Sequence, residues 1–80
     1  MAILNITYNG VSADCPVELE VSVSDADVRR IAVELVRSGG VPGLHIAGLQ
    51  AEAFNNHVVD RFGDGAQSRL YLRPKVPFGS

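Results

Sequence analysis

The sequence predicts a small two-layer α+β domain. It has a mixed sheet of four to five strands, one main helix packed on one face, and a short second helix. Three observations predict this. Segments near the start and the end alternate apolar and polar residues, as half-buried strands do. Val28 to Val36 carries an apolar stripe at helical spacing. A helix with such a stripe needs a sheet face to cover.

The elements follow in order. Ala2 to Tyr8 reads as a strand, with Leu4, Ile6 and Tyr8 on one side and Ile3, Asn5 and Thr7 on the other. Asn9-Gly10 signals a turn, because both residues tolerate positive φ. The cleanest alternation is Pro16 to Val23: Val17, Leu19, Val21 and Val23 face one way, Glu18, Glu20 and Ser22 the other. The two strands are expected to form an antiparallel hairpin with an irregular connection, Asn9 to Cys15. Ser24 is placed to cap a helix, with Asp27 three positions on and Asp25 and Asp27 at the positive end of its dipole. Val28, Ile31, Ala32, Leu35 and Val36 form its buried stripe, and Ser38-Gly39-Gly40 ends it. Val41-Pro42-Gly43 is a turn, Leu44 to Ala47 a brief strand, and Gly48 breaks it. Phe54, Val58, Val59 and Phe62 recur at near-helical spacing and predict a short helix between Ala51 and Phe62. Gly63-Asp64-Gly65 is a loop. Ser68 to Arg73 alternates again as a final strand. The first and last strands are expected side by side at the sheet centre, the β-grasp arrangement.

Eighty residues make one domain. A chain this short buries about 60–65% of its unfolded surface, so its core is thin. The formal net charge of −2 gives no electrostatic case for nucleic acid or an anionic membrane. From Arg69 onward there are three bases and no acid, a local basic edge. No signal-peptide pattern opens the sequence, and no apolar run approaches the ~18 residues of a membrane span. One cysteine cannot form an internal disulfide. A reduced, cytoplasmic, monomeric domain is expected.

Three stretches of residues resemble the ubiquitin-like family in register. Leu19-Glu20-Val21-Ser22-Val23-Ser24-Asp25 resembles that family's second strand and helix cap. Leu44-His45-Ile46-Ala47-Gly48-Leu49-Gln50 resembles its third strand and following turn, and Ser68 to Gly79 its last strand and tail. Residues 51–67 match least. The resemblance implies a β-grasp domain over residues 1–73 and a flexible tail over 74–80. It also implies a protein modifier or modifier-derived binding module, not an enzyme, and the low lysine content and divergent tail suggest a bacterial or otherwise divergent system. Gly79 would be the carbon joined to a target, and the partners would be an activating enzyme, a conjugating enzyme and a deconjugating protease.

The departures carry functional weight. Phe78 stands where the family has the first of two terminal glycines, and Ser80 follows Gly79. By the resemblance, Phe78 would obstruct a channel built for paired glycines unless the cognate enzyme has a matching pocket, and Ser80 would either block adenylation at Gly79 until removed or be the natural end of the chain. His45 replaces the central isoleucine of the family's apolar patch and Arg73 its last-strand valine. Lys75 is the sole lysine, so no lysine-linked polymer can start from the folded body. A non-conjugated protein-binding domain is the alternative, and a sulfur carrier a further one.

Other candidate sites are thin. Arg69, Tyr71 and Arg73 with His45 form either a binding face or an ordinary solvated one. Cys15 follows Asp14, which would raise its pKa, and is expected to be inert. His45 is expected on the sheet surface and His57 on the exposed side of the second helix. With Asp60 they make a poor metal ligand set. No serine has a histidine–acid partner pattern, and no glycine-rich phosphate loop exists. No cofactor is expected.

Overall fold

The computed structural model describes residues 2–20, 22–63 and 68–75. Its elements are β1 (Ala2–Tyr8), β2 (Val11–Val17), α1 (Asp25–Ser38), β3 (His57–Phe62) and β4 (Ser68–Pro74). The strands form one mixed sheet in the order β2-β1-β4-β3. β1 and β4 pair in parallel at its centre, from Ala2↔Ser68 to Ile6↔Leu72. The flanking pairs are antiparallel. The expected central pairing of first and last strands is therefore present.

β1 has the expected bounds and sidedness. Leu4 and Ile6 are fully buried, while Ile3, Asn5 and Thr7 are half-buried. The second strand is not where the sequence reading placed it. Asn9 and Gly10 adopt positive φ, 51° and 80°, and form a two-residue turn that pairs Tyr8 with Val11. This fixes β2 at Val11–Val17, with Ala13, Cys15 and Val17 facing the core. Counting back from the turn by the antiparallel alternation, Ile3↔Pro16 is a non-hydrogen-bonded pair. The missing N–H of Pro16 therefore points off the sheet edge, where proline is tolerated. Leu19 and Val23 pack against the core from an irregular segment, with Val23 N–H donating to the Glu20 carbonyl (3.0 Å). Their alternation with Val17 reflects core contact, not sheet pairing.

The helix conforms. Ser24 Oγ accepts from Asp27 N–H (3.1 Å), and Gly39 caps the other end at φ 82°. Val28, Ala32, Val33 and Val36 are its buried residues, whereas Ile31 and Leu35 lie half-buried at the stripe's flanks. Two other expectations fail. Leu44 to Ala47 is a loop: Leu44 N–H goes to the Val41 carbonyl (3.1 Å) and Ile46 N–H to Val36 (3.1 Å), leaving no ladder. The expected second helix is instead a run of turns over 51–56 followed by β3. Val58 and Val59 are β-branched and favour strand, and β4 offers a free edge to pair with. The sheet thus has four strands among the described residues.

One apolar cluster joins the layers: Leu4, Ile6, Leu70 and Leu72 from the central strands, the α1 stripe, and Val41, Leu44, Leu49 and Phe54 from the long connection. The helix covers one face of the sheet. The other face carries no element among the described residues.

Candidate functional site

The uncovered face is set by strand register. Val58↔Arg73, Asp60↔Tyr71 and Phe62↔Arg69 are cross-strand pairs on β3 and β4. Their alternates Val59↔Leu72 and Arg61↔Leu70 point to the helix side. Phe62 is the most exposed large apolar side chain described, at 57%. Its ring meets Tyr71 edge-on, centroids 5.4 Å apart at 81°. Arg73 pairs with Asp60 across the strands, and together the four side chains line a shallow depression of about 400 Å³. Farther across, Arg69 lies 4.0 Å from Asp14, whose other oxygen accepts from Asn5 Nδ2 (2.8 Å). Each arginine here has an acid within reach, so the face is charge-balanced around an aromatic centre. These exposed ion pairs contribute little stability.

Of the four residues expected to share this face, Arg69, Tyr71 and Arg73 do. His45 does not. It sits in the loop after α1, its ring against Gly39 and its Nε2 3.1 Å from the Arg37 carbonyl, beneath the helix C-terminus. Asp60 and Phe62 take its place, and the sequence reading missed them as site residues. The signal was present: Val58, Asp60 and Phe62 alternate with period 2. The same residues, with Phe54, also fit a helical period.

His57 is likewise displaced from its expected exposed position. It is buried at the start of β3, where Nε2 donates to the Thr7 carbonyl (2.9 Å), so this nitrogen carries a proton. Its ring packs edge-on to Phe54 (4.9 Å) and beside Tyr8 (6.2 Å). The two histidines thus serve separate backbone carbonyls, and no group of three or more metal-ligating side chains occurs among the described residues.

Cys15 is buried, and its thiol faces the Gly40 carbonyl (3.3 Å). Burial pushes the thiol up from its usual range. Desolvation is the cause, not Asp14, which alternation places on the opposite face.

A second concavity, of about 320 Å³, opens beside the hairpin turn between Tyr8, Ile46, Leu49, Gln50, Glu52 and Ala53. Arg37 Nε donates to the Leu49 carbonyl and ties its floor to the helix. Phe78 and Gly79 lie outside the described residues. β4 runs through Pro74, and Lys75 N–H donates to the Asn56 carbonyl (3.2 Å). No helix among the described residues is long and apolar enough to cross a membrane. No family model, curated protein or solved structure matches the chain.

Proposed function

We propose that this chain is a β-grasp, ubiquitin-like protein that acts as a protein modifier or a modifier-derived binding module. In this reading Gly79 carries the carboxyl that joins a target after processing, and partner proteins dock on the outer sheet face. One observation carries it. The first and last strands pair in parallel at the sheet centre, beside a tight hairpin and under a single helix, so the chain leaves the fold from a central strand. In a modifier, a central strand of this kind would be the fixed base from which a conjugating tail is offered. Partners of this kind are an activating enzyme, a conjugating enzyme and a deconjugating protease, in the cytoplasm of a bacterium.

The test is intact-mass analysis of the full-length protein expressed in its own host. Maturation to a Gly79 carboxyl, with covalent adducts that vanish in Gly79→Ala, is the expected result. A thiocarboxylate mass shift indicates a sulfur carrier instead. An unprocessed chain without adducts overturns conjugation.

A second reading, a non-conjugated docking domain, is favoured by the outer face itself. Phe62 and Tyr71 place exposed aromatic surface among paired charges, the composition that anchors protein interfaces. Partner binding that is lost in Phe62→Ala yet unaffected by Gly79→Ala selects it.

A further inference from the structure

The strand register arranges the charges of the outer face as a cross. Arg69, Tyr71 and Arg73 follow one another along β4. The two bases are therefore four residues, about 13 Å, apart, with the tyrosine between them. Asp60, Tyr71, Asn5 and Asp14 follow one another across β3, β4, β1 and β2, through the pairs Asp60↔Tyr71, Asn5↔Tyr71 and Asn5↔Asp14. The two acids are therefore three strand spacings, about 14 Å, apart. The line of bases and the line of acids cross at Tyr71 at a right angle, and their lengths match. All four charged side chains reach solvent, and their pairs within the chain are of the exposed kind that contributes little. Around them Phe62 is exposed, and Ile3 and Val58 are half-buried.

We infer that the outer face packs on the same face of a second copy of this chain, with the strands of the two sheets crossed at about 90°. This names the partner of the docking reading above and rests on that reading. Two facts favour a copy. The face holds two acids and two bases, so a partner of one charge sign meets as much repulsion as attraction. A copy rotated by a quarter turn lays its line of acids over the bases and its line of bases over the acids. One twofold axis in the interface satisfies both, and Tyr71 meets Tyr71 beside that axis. Face-to-face sheets pack either nearly aligned or crossed. Centred on each other, aligned copies would lay acid row on acid row, so the charges select the crossed form. The face is about 20 Å on a side, or ~400 Å² per copy, half the ~800 Å² of a stable complex. The dimer is therefore weak, with a dissociation constant on the order of 0.1 mM, and the monomer expected from the sequence is its dilute form.

The test is sedimentation velocity of the full chain across the two decades of concentration around that value. Asp14→Arg/Asp60→Arg makes the face wholly basic, and Arg69→Glu/Arg73→Glu makes it wholly acidic. Glu34→Arg, exposed on α1 on the opposite side of the molecule, is the control. An unchanged Tm verifies each fold. Wild type and Glu34→Arg are expected to dimerise alike. Each reversed protein alone should associate at least tenfold more weakly, and an equimolar mixture of the two should restore a dimer at least as tight as the wild type. The wild type gives a second measurement that needs no variant. Its dimer should weaken as NaCl rises from about 0.05 to 0.5 M, since exposed charge pairs are screened. A wild type that stays monomeric overturns the inference. So does a dimer that both reversals leave intact, a mixture that does not associate, or a dimer indifferent to salt. The docking reading falls separately: it stands beside a monomeric wild type if another protein binds the chain and is lost in Phe62→Ala.

Discussion

Cys15 and His57 show how burial decides what a side chain can do. A thiol nucleophile needs its thiolate, and burial of Cys15 holds the proton on. Alkylation by iodoacetamide at pH 7.5 is expected to be far slower in the native protein than in urea; equal rates would contradict the burial. The same shift has a stability consequence. The unfolded thiol ionises near pH 8.5, and the folded one above that. The buried neutral thiol therefore contributes in full below about pH 8.5, and its contribution is lost as pH rises through the folded value. Between pH 8 and 10 the wild type should lose more stability than Cys15→Ala, as urea titrations can measure. His57 is buried for packing and for the Thr7 carbonyl. Replacement by phenylalanine keeps the ring stack but strands that carbonyl, at a cost of about 1–3 kcal/mol. Phe54, fully buried between Tyr8 and His57, is the larger structural anchor. Phe54→Ala is expected to cost about 3–5 kcal/mol, a large share of the stability of so small a domain.

Among the elements, those with local determinants were legible from the sequence, and those decided by distant partners were not. The helix was readable end to end because its cap, stripe and terminal glycine are local signals. Ser24→Ala should cost about 1 kcal/mol by losing the bond to Asp27 N–H, with helix content by circular dichroism as the check. β1 and β4 were readable because their alternation is uninterrupted. β2 was misplaced because Glu18-Leu19-Glu20 continues an alternation that starts at Val17, so the pattern looked longer downstream than upstream. The Asn9-Gly10 turn outweighs that pattern, since a two-residue turn leaves a single register. Gly10 sits at φ 80°. Gly10→Val should therefore loosen the hairpin, seen as faster amide exchange at Tyr8 and Val11. The residues of β3 fit a helical period as well as that of a strand, and the tie is broken by the free edge of β4, which is distant information. The candidate face inherited that ambiguity. Arg69, Tyr71 and Arg73 were found because they lie on a readable strand, while Phe62 and Asp60 were hidden inside a misread one.

At the scale of the molecule, the division is between a face covered by α1 and a face left open. Surface aromatics on the open face contribute little to folding, so Phe62→Ala should shift stability by less than about 0.5 kcal/mol while weakening any partner that docks there. A fall in stability comparable to that of Phe54→Ala would instead mean that Phe62 belongs to the core. The parallel pairing of β1 with β4 has one more consequence, in the order of synthesis. The strand that completes the centre of the sheet is the last to be made. Until Leu70 and Leu72 leave the ribosome, β1 has only β2 beside it, and an isolated two-stranded hairpin is marginally stable at best. Leu4 and Ile6 then wait exposed on the nascent chain, open to chaperones and proteases, and folding is gated by the arrival of the final strand.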